Sequence, residues 1–175
     1  GPDIGIDTLC IGEMGIGNTT ASAAICHALY GGESTDWVGP GTGVQGKDLD
    51  NKIRIVKESV ILHKAVLIDG LEILRCLGGR EMAAICGAII AARLSRIPVL
   101  LDGYVTCAAA AVLHSLDSHA LDHCMVAHLS KEPGHQNLLK KINKKPIFDF
   151  GMRLGEGSGA ALAVGVLRSA VACHN

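Results

Sequence analysis

Four short apolar runs punctuate the chain, each followed by a glycine-rich or polar segment and then by a longer helical stretch. The runs sit in "IDTLCIG", "IPVLLDG", "HCMVAHLS" and "KPIFDFG". Nothing else in the sequence constrains the fold as much. Short strands alternating with helices imply crossover connections, and crossovers of one hand give a parallel sheet covered by helices. Such strands are buried on both faces and read as continuous apolar runs. The composition suits this. Hydrophobic residues make up 49% but aromatics only 3%, so the core has to be built from Ala, Val, Ile and Leu.

The expected class is therefore α/β: a parallel sheet with helices on both faces, in a Rossmann-like three-layer arrangement. At 175 residues the chain is one domain or a large piece of one. The first strand begins near residue 1 and the last helix runs to the end, which is expected of a piece of a longer protein. The opening Gly1–Pro2 is set aside from the fold reading.

Local signals place the helices. "NTTASAAICHALYGG" reads as a helix with Asn18 or Thr19 as N-cap and Gly31–Gly32 as its stop. "GPGTGVQGKDLDNKIRIVKESVILHKA" is a glycine-rich loop running into a long amphipathic helix, with Ile53, Val56, Val60 and Ile61 on one face. "DGLEILRCLGG" is a short helix closed by glycines. "REMAAICGAIIAARLSRIP" is apolar nearly all round, which predicts a buried helix. "YVTCAAAAVLHSL", "EPGHQNLLKKIN" and "EGSGAALAVGVLRSAVACH" supply the rest.

Several functions are disfavoured. A net charge of −1 gives no basic footprint for nucleic acid. No apolar run reaches the length of a membrane span, and no signal peptide is visible. The seven cysteines show no CxxC pair and sit mostly among apolar residues, so they read as reduced buried thiols in a cytoplasmic protein. Zinc would need short ligand pairs. His114, His119 and His123 come closest to a cluster but read as surface residues around a helix–strand connection. No metal or cofactor is expected.

In open parallel sheets, ligands bind outside the carboxyl ends of the strands. The segments "GEMGIGNTT", "DGYVT", "AHLSKEPGH" and "GMRLGEGSG" all fall there. "GEMGIG" is not a G-x-G-x-x-G, and no Walker lysine follows a glycine loop. Backbone N–H groups of glycine loops and helix starts suit a phosphate. Thr19, Thr20, Ser130 and Ser158 add hydroxyls, and Lys52 adds an ammonium one turn into its helix. Glu13 and Glu156 put carboxylates beside glycines, where a small ligand can come close to the backbone. Each feature also has a plain structural reading: Lys52 as a solvated helix face, Glu13 as a carboxylate satisfied by neighbouring N–H groups, Glu156 as an anion favoured at a helix N-terminus.

Together "GEMGIGNTT", "GGREMAAICGAIIAA", "PVLLDGYVTCAAA", "KEPGH" and "MRLGEGSGAALA" resemble the nicotinate-nucleotide–dimethylbenzimidazole phosphoribosyltransferase family, in order and spacing, over nearly the whole chain. The resemblance implies transfer of the ribose phosphate of nicotinate mononucleotide to 5,6-dimethylbenzimidazole, in the lower-ligand branch of cobalamin assembly. It makes residues 1–175 the C-terminal portion of a longer enzyme that works as a homodimer. It implies Glu156 as the catalytic base. The implied substrate contacts are Glu13, Gly15, Gly17, Asn18, Thr19, Lys52, Asp102, Ser130, Leu154, Gly155, Gly157 and Ser158. The chain departs from the family pattern at Pro40, where arginine is common, and at Ala127, where serine is common. Two other readings stay open on the residues alone: a truncated or diverged module that binds nucleotide phosphates without catalysis, and a nucleotide-dependent oxidoreductase, disfavoured because the dinucleotide fingerprint is missing.

Overall fold

A computed structural model describes residues 5–41 and 43–174; Gly1 and Pro2 lie outside them. The four apolar runs are strands: β1 (Leu9–Ile11), β2 (Val99–Leu101), β3 (Cys124–His128) and β4 (Pro146–Phe148). They form one sheet in chain order, every pair parallel, with Leu9 opposite Val99, Leu101 opposite Val126 and His128 opposite Phe148. Between β1 and β2 lie α1 (Asn18–Tyr30), a 3-10 turn (Ser34–Asp36), α2 (Lys47–His63), α3 (Gly70–Leu77) and α4 (Arg80–Leu94). Then come α5 (Tyr104–Leu116), α6 (Pro133–Lys141) and, after β4, α7 (Ser158–His174).

Alternation along the strands sorts the core into two clusters. Val99, Leu101, Cys124 and Val126 pack with the cluster that gathers α1 to α6. Leu100 and Ala127 pack against Ala160 and Ala163 of α7. Helices thus cover both faces, α1 to α6 on one and α7 on the other. At the centre of the thick layer, α5 is buried from Tyr104 to Leu113. Its run Ala108–Ala111 is wholly inaccessible, and small side chains let α1, α4 and α6 approach closely.

Three local expectations are corrected. The N-cap of α1 is Gly17, in the left-handed region at φ 85°, and no side chain caps the helix. The Asn18 side chain is turned instead to Glu13, across the mouth of the first loop. On α2, Val56 is fully buried and Ile53 and Val60 partly so, but Ile61 is 62% exposed. The apolar stripe turns away before the helix ends. Helix α4 buries only one face, through Met82, Ile85, Cys86, Ile89 and Ala92, while Ile90 and Leu94 stand in solvent. Its all-round apolar reading came largely from Ala and Gly, which cost little when exposed.

All seven cysteines are free: Cys26, Cys86, Cys107 and Cys124 are buried, and Cys10 and Cys173 exposed. His119 is exposed, and His114 and His123 are partly buried around the α5–β3 connection. No helix among the described residues is long and apolar enough to cross a membrane.

Candidate active site

The carboxyl ends of all four strands open onto one cavity of about 410 Å³. Its lining takes Glu13, Gly15, Gly17, Asn18 and Thr19 from the segment after β1, and Asp102 from the end of β2. Ser130 follows β3; Leu154, Gly155 and Glu156 follow β4; Lys52 reaches in from α2. Gly157 and Ser158 are not part of the wall. Ser158 Oγ donates to Gly155 O at 2.7 Å, which closes the turn instead of facing a ligand. Of Pro40 and Ala127, the first lines the cavity. Ala127 does not; it is buried on the sheet face beneath α7.

The turn that carries Glu156 is built from unusual backbone. Gly155, Glu156 and Gly157 all have positive φ, at 76°, 59° and 77°. Glycine adopts such angles freely; a glutamate there costs about 1–2 kcal/mol. Several contacts hold it. Glu156 N donates to Glu13 O at 3.0 Å, which ties the turn to the first loop. Gly157 N donates to Asp102 Oδ2 at 3.2 Å and Ala160 N to Asp102 Oδ1 at 2.9 Å. Hydrogen bonds to a charged acceptor contribute about 1.5–3 kcal/mol each, enough to outweigh the strain. Close packing adds to this. A Cβ on Gly12 would lie 2.2 Å from Gly157 N, so only glycine lets the two loops meet.

Glu13 lies beside this turn. Asn18 Nδ2 donates to its Oε2, and a Cβ on Gly155 would sit 3.3 Å from its Oε1. Burial pushes the Glu13 carboxyl up to about 7, aided by the negative charges of Asp102, Glu81 and Glu156. Three exposed apolar side chains, Met14, Ile16 and Leu154, also line the cavity and give it an oily rim.

The wall also holds two cations. Lys52 is 7% exposed, and its Nζ donates to Thr19 Oγ1 at 2.9 Å and to Gly39 O at 2.8 Å. An ammonium carries three N–H donors. Burial lowers the Lys52 pKa, and the Glu132 charge opposes that shift. Arg153 adds a second positive charge to the wall.

Among the wall residues without an assignment from sequence, four carry titratable side chains: Tyr104, His128, Glu132 and Arg153. Glu132 is buried; its Oε1 accepts from Gly41 N at 2.8 Å and so pins the Pro40–Gly41 loop. Its place directly before Pro133, at a helix start, was the signal that could have found it. His128 is 1% exposed, stacks on Phe148 and has neither ring nitrogen paired among the described residues. Its position as the last residue of β3, at the ligand edge, is the corresponding signal. Behind it, His135 Nδ1 accepts from Ser130 N at 2.9 Å. Burial, with the His128 charge, lowers the His135 pKa to about 3. Among the described residues no group of three or more His, Cys, Asp or Glu side chains is arranged to hold a metal ion.

A parallel α/β sheet with a cavity at its carboxyl edge, whose wall mixes carboxylates, two cations and exposed apolar side chains, defines an α/β protein with a small-molecule-sized site. Residues 2–175 match the family described as Phosphoribosyltransferase, and the chain belongs to it. It is 60% identical, over 98% of its length, to the nicotinate-nucleotide–dimethylbenzimidazole phosphoribosyltransferase of Methylocella silvestris. To the protein of the same name from Brucella canis it is 58% identical over 98% of its length. In each case the chain spans 50% of the relative. The crystal structure of CobT from Thermus thermophilus superposes with a TM-score of 0.85 at 38% identity, covering 91% of this chain and 47% of that one.

Proposed function

We propose that the protein carrying this segment transfers the ribose phosphate of nicotinate mononucleotide to 5,6-dimethylbenzimidazole, releasing nicotinate and α-ribazole 5′-phosphate for the lower ligand of a cobalamin. The observation that carries the reading is the mixed lining of the cavity. Glu13 and Glu156 meet at an apolar rim suited to a flat aromatic base, and Lys52 and Arg153 lie in the same wall, suited to a phosphate.

In this reading Glu156 takes the N–H proton of the benzimidazole. The other ring nitrogen attacks the anomeric carbon from the face opposite nicotinate. The new N–C bond forms as the old one breaks, and its electron pair leaves with the pyridine nitrogen. Attack from the opposite face turns a β-linked donor into an α-linked product. The phosphate, held by Lys52 and Arg153, positions the donor, and positioning supplies part of the rate. The seven free thiols suit a reducing cytoplasm. The working form is a homodimer at the length of the relatives.

The test is Glu156→Gln in the full-length protein. Gln keeps the size but accepts no proton, so turnover falls on the order of 10²–10⁴-fold while the affinity for nicotinate mononucleotide barely changes. Steady-state turnover and donor titration decide it. Turnover within about threefold of the parent, far short of a general-base effect, removes Glu156 from the role.

A further inference from the structure

The geometry points to Asp102 as the positioning residue of this site: its carboxylate holds the backbone on which Glu156 is mounted, and it does not act on substrate directly. The inference rests on Glu156 being the base. Asp102 is 1% exposed at the end of β2. Both of its oxygens are engaged, and both partners lie just past Glu156: Gly157 N on Oδ2 and Ala160 N on Oδ1. These are amides of the turn and of the first turn of α7, which intrahelical bonds leave without partners. A carboxylate there also meets the positive end of the helix dipole. Its own backbone N–H donates to Ile11 O at 3.0 Å, so the residue is fixed by the sheet.

The turn needs such an anchor. Glu156 and its two glycine neighbours all have positive φ, and Glu156 is exposed. The other main-chain tether of Glu156 is the bond from its own N to Glu13 O. Space behind the anchor is also fixed. A Cβ on Gly159 would lie 2.8 Å from Asp102 Oδ1 and 2.1 Å from His128 Cδ2, so α7 can press onto Asp102 only with glycine there. His128 Nε2, at 3.7 Å from Asp102 Oδ1, is too far to compete for that oxygen.

Asp102→Asn keeps the size but turns one of the two acceptors into a donor facing an N–H. In the full-length enzyme the expected result is a kcat lower by about 10–100-fold, the scale of an ångström-sized misplacement of a reacting group. The KM for nicotinate mononucleotide should stay within about threefold, because in that reading its phosphate is held by Lys52 and Arg153 and not by Asp102. The decisive measurement is the double variant. If Asp102 works through Glu156, Asp102→Asn adds nothing in the Glu156→Gln background, whereas independent roles multiply. Asp102→Ser, with one acceptor oxygen, should give the same pattern. Multiplied losses, or a KM that rises along with the fall in kcat, overturn the proposal. So does failure of both variants to fold, which assigns Asp102 to the fold as a whole. The two readings fail separately: a fast Glu156→Gln removes the base whatever Asp102 does, and multiplied losses beside a slow Glu156→Gln remove only the anchor.

Discussion

Glu13 is a residue of the site whose protonation bears on stability. Its ordinary carboxyl value is 4.5, and burial, then the charges of Asp102, Glu81 and Glu156, carry it to about 7 in the folded protein. Between those values the folded state keeps a proton that the unfolded chain has released. Stability therefore falls as pH rises through that window, and the loss is complete above about 7. Glu13→Gln removes the titration and keeps an oxygen and an amide in the place of the carboxyl beside Asn18. Relative to the parent, the variant should gain stability at about pH 8 and show little difference near pH 4, read from urea midpoints at both values. A gap that stays constant with pH overturns the assignment. At this scale the sequence was informative where chemistry sits beside glycine. Glycines on both sides of Glu156, and beside Glu13, mark places where the backbone must do something special. Asp102 was legible as a polar residue at the ligand edge but not as an anchor, because its partners lie 55 and 58 residues further along the chain.

The helices of the site are joined by single side chains. Lys52, on α2, reaches Thr19 on α1 and the carbonyl of Gly39, and so stitches two helices and a loop in the wall of the cavity. Lys52→Met fills similar space without the ammonium. It strands Gly39 O and Thr19 Oγ1, a loss of about 1.5–3 kcal/mol, partly offset because a buried ammonium is itself costly. The expected net is a stability loss of about 1–2 kcal/mol by urea unfolding. Affinity for nicotinate mononucleotide by calorimetry should fall further than stability. Unchanged donor affinity would leave Lys52 as a stitch alone. Every strand and helix was legible from apolar runs and glycine stops, because those signals are local. What composition could not give was which side of α4 is covered. Ala and Gly read as apolar, yet Ala83, Ala84 and Gly87 are exposed. Burial there is decided by what packs against the helix, and α5 takes only one face.

As a whole, the molecule places every catalytic candidate on one edge of a sheet whose strands follow chain order. That order also sets a timetable. β2, β3 and β4 are joined through single helices, so Val99 finds Cys124, and Val126 finds Pro146, after short loops close. β1 is different. Thr8 Oγ1 meets Pro98 O across 90 residues, with α1 to α4 looped out between them. Closing a longer loop costs more entropy before any contact repays it, and distant pairings form late. Pulse-labelled hydrogen exchange during refolding should therefore protect amides of β3 before those of β1; simultaneous protection would refute the order. The loop after β1 holds Glu13, whose carbonyl receives the N–H of Glu156. The cavity is then finished only when the first strand arrives, and until that moment the protein is nearly folded yet has no competent place to bind.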